Sequence, residues 1–340
     1  MNARFDPVQN DSNGWFALSD RGLLEPGLDG LMLQRGSFVM EVSLPLPSSE
    51  ILMDFQSVHG WARTFSIFHD SEIGIVMLHR QGDSVVRHVL PGPLPMGRGT
   101  GRLTFNFDAP ARKWTMVFEV LGGENATQRS SFGANPLPFN SYDLSVICES
   151  CKPFGSVLWY GFMQDRQLPR AAPWIGLRTP IETSLGRVFA GNLKPGDMIM
   201  TYDRGPVQLR AVTPLFLPAR GSFCPVLLRA PYFGKSHDLL VSADQPIVIG
   251  GLETEYLFDQ DSVLVPAASL VDGRTAFSDT RRAVTGTVAL DLGMPALIEA
   301  DSCLLGIGHD AEAEYPMRSL KNHEVRSLMS LLGRCPRRSA

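Results

Sequence analysis

The 340 residues leave room for about two domains of ordinary size, and 44% hydrophobic with 19% charged residues is the composition of a globular protein. The net charge of −4 is evenly spread: residues 1–170 carry 14 Lys/Arg against 17 Asp/Glu, residues 171–340 carry 17 against 18. Neither half is a polyelectrolyte, so charge gives no reason to expect nucleic acid as a partner. No apolar run approaches the roughly 18–20 residues that a bilayer-spanning helix needs, and five cysteines are too few for a disulfide framework.

The N-terminal stretch MNARFDPVQNDSNGW has no apolar core after its Arg. The expectation is therefore no cleavable signal peptide, with a cytoplasmic place or a signal-independent route of export. From residue 14 to about 165 the chain reads as short strands separated by turn residues. The candidates are 36–44, 50–55, 64–69, 74–79, 84–89, 101–107, 113–121, 142–147 and 156–163. Several alternate apolar and polar residues and recur every 10–15 positions, which predicts an antiparallel sandwich or jelly roll. The stretches SFVMEVSL, GRLTFNFDAPARKWTMVFEVLGG and SVLWYGFMQD together resemble concanavalin-like (laminin-G-type) lectin domains. That resemblance implies a glycan or a protein as partner of the sandwich.

Hydrolysis of a sugar would need two facing carboxyl groups, yet the strand carboxylates Glu41, Asp54 and Glu119 stand singly. Asp70 and Glu72 sit two apart in a turn, where solvated carboxylates are the ordinary reading. Trp61, Trp114, Trp159 and Tyr160 suit a strand core better than a sugar platform. His59, His69, His79 and His88 are dispersed and expected at the surface or half-buried. Cys148 and Cys151 have redox-motif spacing but no second metal-ligand pair, and read as incidental thiols. Asn125-Ala126-Thr127 fits a glycosylation acceptor by chance. No metal site and no cofactor are predicted.

A proline-bearing linker, 167–173, precedes a second β-rich region over 174–312. Lys194-Pro195-Gly196-Asp197 supplies a tight turn before a strand at 198–202, and Asp203-Arg204-Gly205-Pro206 a second turn. Further strands are expected at 207–212, 223–229, 237–242, 246–249 and 262–266. The blocks GLRTPIETSLGRVFAGNLKPGD, HDLLVSADQPIVI and VLVPA resemble the Hint (hedgehog/intein) family in its bacterial form. The architecture expected is thus mainly β: a lectin-like sandwich over 1–166, an all-β Hint horseshoe over 174–312, and a terminal helix.

The resemblance also implies a chemistry and shows where it has lapsed. Hint domains that process themselves begin with a Cys or Ser that attacks the preceding carbonyl. A His, with a nearby Thr, protonates the leaving nitrogen. Counted back from Pro195-Gly196-Asp197, Thr179 falls on the family's Gly-Thr threonine and the nucleophile's position falls on Trp174. Residues 167–178 contain no Cys, Ser or Thr. The family's Ser-Pro-Gln-His reads Ser242-Ala243-Asp244-Gln245, so Gln245 replaces the His, and an amide cannot exchange a proton near neutral pH. Asn322-His323 reverses the order that terminal cyclisation uses.

The expectation is a degenerate scaffold without self-cleavage. Autoprocessing at Pro173–Trp174 and carbohydrate binding are the two alternatives. His237, Cys224 and Cys303 read as structural residues, and Thr183 as an ordinary strand position. Residues 313–340 form a basic amphipathic tail: Leu320, Val325, Leu328, Met329 and Leu332 predict a helix of about four turns, with Gly333 as its C-cap. Docking on the second domain is the default, and contact with a membrane surface or a partner protein the alternative.

Overall fold

The computed structural model describes residues 14–24, 30–58, 60–95, 97–121, 127–150, 154–164, 168, 173–234, 236–308 and 315–332. The linker apart from 168 and 173, His59, Cys151, Asn125 and Gly333 lie outside the described residues. Contacts divide the chain into two compact units, Met1–Leu168 and Pro169–Ala340. No helix among the described residues is long and apolar enough to cross a membrane.

In the first unit, a seven-stranded sheet runs in the order Gln128–Ala134, Lys113–Leu121, Gly99–Asp108, Arg35–Leu44, Val157–Gln164, Trp15–Leu18, Gly22–Leu23. A four-stranded meander, Ser49–Ser57, Arg63–Asp70, Gly74–Gln81 and Ser84–Pro91, forms a second sheet. All their pairings are antiparallel. One core joins the two sheets: Phe38, Met40, Phe105, Phe118 and Phe162 from the first meet Met53, Phe65, Ile67, Ile75 and Met77 from the second. The period of two expected of a half-buried strand is plain in Arg63–Asp70, where buried and half-buried residues alternate.

The strand Arg35–Leu44 is buried on both faces, and its second face holds Glu41. Arg102 lies directly opposite Glu41 and directly opposite Glu119 on its other side. Its guanidinium meets Glu41 Oε1 at 3.1 Å and Glu119 Oε1 at 3.4 Å, while Trp159 Nε1 donates to Glu41 Oε2 at 2.8 Å. The strand carboxylates that look single in the sequence are thus partly one cross-strand network.

Two expectations for this unit are corrected. Residues 142–147, read as a strand, belong to α1 (Ser141–Ser150). Leu144, Ile147 and Cys148 are buried at helical spacing, Asp143 sits in the first turn, and Asn140 Oδ1 accepts the Tyr142 N–H at 2.8 Å, so the local chemistry is that of a helix start. His69, His79 and His88 are 6%, 2% and 1% exposed, not surface residues, because each falls on the core face of its strand. Trp114, Trp159 and Tyr160 are buried, whereas Trp61 is 56% exposed.

The second unit holds two sheets around a separate core. Six strands run in the order Ala211–Pro218, Val284–Asp291, Ile175–Gly176, Leu239–Val241, Val226–Leu228, Ala276–Ser278. The larger sheet contains Gly186–Phe189, Pro180–Thr183, Met198–Thr201, Ala296–Ala300, Cys303–Ile307, Pro246–Gly250 and Ser262–Pro266, with Gly205–Gln208 beside Met198–Thr201. The Lys194–Asp197 turn closes by Asp197 N–H to Lys194 O at 3.1 Å and Lys194 N–H to Asp197 Oδ2 at 2.8 Å. Gly196 takes φ +102° there, a conformation that favours glycine. The short helix α2 (Leu252–Phe258) was not expected between its two strands.

At the chain's end, α3 (Asn322–Leu331) spans ten residues. The predicted four-turn helix is shorter because Arg318–Leu320 is extended and bonds to Leu264 of the edge strand. Glu324 then starts the helix, its Oε2 accepting the Lys321 N–H at 2.8 Å. Val325, Leu328 and Met329 enter the core of this unit, which places the apolar face of α3 inside the fold.

Candidate functional site

The site expected at Trp174, Thr179, Ser242 and Gln245 is built on the central strands of the six-stranded sheet. Ile175 pairs with Val241 on one side and Val288 on the other, which carries the ladder out to Trp174 and Ser242. Ser242 N–H donates to Trp174 O at 2.9 Å, and Trp174 N–H donates to Ser242 Oγ at 3.3 Å. Both residues are buried, Ser242 at 1% exposure. The nitrogen that Ser242 holds belongs to the Pro173–Trp174 peptide bond, the bond that the resemblance marks for cleavage.

Ser242 also opens a turn that Gln245 closes, Gln245 N–H donating to Ser242 O at 3.1 Å. Asp244 points outward and Gln245 inward, at 0% exposure. The Gln245 amide donates to Gly306 O at 2.5 Å and to Pro246 O at 3.3 Å. Those two acceptors fix which end of the amide is nitrogen, and Oε1 is left buried without a hydrogen bond. Gly306 is needed for this contact: a Cβ there would meet Pro246 Cβ at 2.9 Å and the Tyr315 ring at 3.0 Å. Burial, with the charge of Asp244 added, pushes the Tyr315 phenol up to about 12, so it does not titrate near neutrality.

Thr179 stands apart from this trio. Its N–H closes a turn onto Gly176 O at 3.0 Å and its carbonyl accepts from Ala190 at 2.8 Å, while Oγ1 is buried and unbonded. Hydrogen bonds therefore bring together Trp174, Ser242 and Gln245, and place Thr179 one turn away. Gly306 and Tyr315 do not stand out in the sequence, because they come from segments without a motif.

Asp70 Oδ1 accepts two backbone N–H groups, from Glu72 and Ile73, at 3.0 Å each, and these hold its carboxyl below the usual range. Burial raises the half-buried Cys224 thiol, the opposite of what a nucleophile needs. Cys148 and Cys303 are buried. His237 is more than a lone surface residue: its Nδ1 lies 3.3 Å from Asp301, a buried carboxylate that also accepts the Ser236 and His237 N–H groups. Among the described residues no three of His, Cys, Asp and Glu come together as a metal site.

Residues 177–304 match the model of a family described as Hint domain. Two crystal structures of the MchDnaB-1 intein, one of them designated N145AA, are similar at 16% sequence identity and a TM-score of 0.27. They cover 39% and 40% of this chain and 99% of their own. No curated protein matches the chain.

Proposed function

We propose that the Hint domain this chain carries at residues 177–304 is a scaffold that no longer cleaves itself, and that it serves to present the N-terminal sandwich. The observation that carries the reading is the pairing of Trp174 with Ser242 and Gln245. The peptide nitrogen is held by Ser242 Oγ at 3.3 Å, while the side chain at the attacking position is an indole and the one at the proton donor's position an amide. An indole has no nucleophilic atom to form an ester or thioester. The amide, locked on Gly306 O, has no proton to deliver to a leaving nitrogen.

Intact mass of the purified full chain, after prolonged incubation with and without dithiothreitol, tests this. A single unchanged mass of 37.3 kDa is expected. Two fragments parting near residue 174 would reinstate autoprocessing through a nucleophile other than residue 174.

A second reading, glycan recognition by the sandwich, draws support from Trp61. Its ring is 56% exposed, in the loop after a strand on which Asp54 accepts from Ser66 at 2.5 Å and from Gln56 at 3.3 Å. An exposed indole suits the apolar face of a sugar ring. Saturable binding of the full chain to immobilised glycans, lost in Trp61→Ala, would establish it; no glycan-dependent signal would remove it.

A further inference from the structure

Two histidines in the core of the sandwich are left partly unused by the fold. Nδ1 of His79 and Nε2 of His88 are buried and make no hydrogen bond. The residues are 2% and 1% exposed. Buried polar atoms in this state are rare and call for a partner. The strands Gly74–Gln81 and Ser84–Pro91 pair so that Met77 faces His88 and His79 faces Val86. His79 follows Met77 by two and shares its face, and His88 is the cross-strand neighbour of Met77 and the diagonal neighbour of His79. All three lie in the interior, Met77 at 0% exposure.

The surroundings are aromatic. The His79 ring stacks on Phe139 at 4.3 Å and meets Phe65 edge-on at 5.6 Å; the His88 ring lies 4.9 Å from Phe105 and 4.8 Å from Trp114. We propose that Met77, His79 and His88 form a binding site for a soft monovalent metal ion, Cu(I), inside the sandwich. Imidazole with thioether is a soft ligand set. A divalent ion there would bring two charges to buried donors that carry no negative charge, with the Asp143 carboxylate reaching His79 only through the Gln81 amide. The aromatic faces favour a single positive charge. Metal on Nδ1 of His79 puts the ring proton on Nε2, so the Gln81 amide 3.4 Å away must turn its oxygen to it and give up its 3.5 Å contact with Asp143 Oδ2.

Full-length protein produced in copper-supplemented medium and dialysed anaerobically against the Cu(I) chelator bicinchoninate tests the site. The expected result is one more Cu(I) per chain than in the His79→Phe/His88→Phe variant, the cysteines being common to both. Equal copper content in the two proteins overturns the proposal. Met77→Leu conserves volume and so keeps the fold; it decides the matter if the double variant melts abnormally. Loss of copper to the chelator at least about tenfold faster than in the parent is expected, and an unchanged rate removes Met77 and the site with it.

Discussion

At the scale of residues, Ser242 Oγ accepts from the Trp174 N–H, and the Gln245 amide has no proton to give near neutral pH. Restoring the missing groups makes a direct prediction. Trp174→Cys combined with Gln245→His should part the chain at 173–174 in dithiothreitol, seen as two masses. Trp174→Cys alone should do so at least about 100-fold more slowly, since a general acid typically contributes about 10²–10⁴. Equal rates would mean that Gln245 does not stand where a proton is delivered. Gln245 also has a structural role, because its amide is the donor to the Gly306 carbonyl. Gln245→Met leaves that carbonyl without this partner and should lower the stability of the second unit by about 1–3 kcal/mol in urea denaturation.

At the scale of elements, two attachments matter most. The Arg102 strand ties its two neighbours through Glu41 and Glu119, with Glu41 at 0% exposure. Arg102→Ala leaves a buried carboxylate facing a cavity and should cost about 3–5 kcal/mol, whereas Glu41→Leu with Arg102→Met should recover most of that loss. Chemical denaturation of the three proteins checks it. Helix α3 is held by Val325, Leu328 and Met329 in the core, so its amphipathic pattern is already satisfied within the unit. Leu328→Ala should cost about 2–5 kcal/mol, read from the same measurement on the second unit. A change under 0.5 kcal/mol would mean that the helix does not dock there in solution.

At the scale of the molecule, the first unit carries a sensitivity to acid in its buried histidines. Burial lowers His79 from 6.5 to about 3 and His88 from 6.5 to about 4. The unfolded chain therefore binds more protons than the fold below about 6.5, and stability falls as the pH drops from 6.5 towards 3, levelling off below. Asp143 works against this trend, since burial raises its carboxyl and its protonation favours the fold as pH falls. Hydrogen exchange of the first unit's core strands should show protection falling across that interval. The His79→Phe/His88→Phe variant should flatten the slope. An unaltered slope would mean that the two rings are not the groups taking up protons.

Composition and a period of two were enough to determine a β-rich chain with antiparallel sheets, and the blocks ending in LKPGD, LLVSADQ and VLVPA were enough to mark the Hint region. Tight turns and strand alternation are local, so their physics is written in neighbouring residues. Other features were decided only by tertiary packing. The run 142–147 alternates well enough for a strand, and became helical because Asn140 caps it and its buried side chains recur at helical spacing. Histidines 69, 79 and 88 went to the interior because strand register, not residue type, selects the face. Gly306 reached Gln245 across 61 positions, and Arg102 gathered Glu41 and Glu119 from two different strands. Contacts between distant segments leave no spacing to read, since the chain between them is free in length and only the sheet brings the partners together.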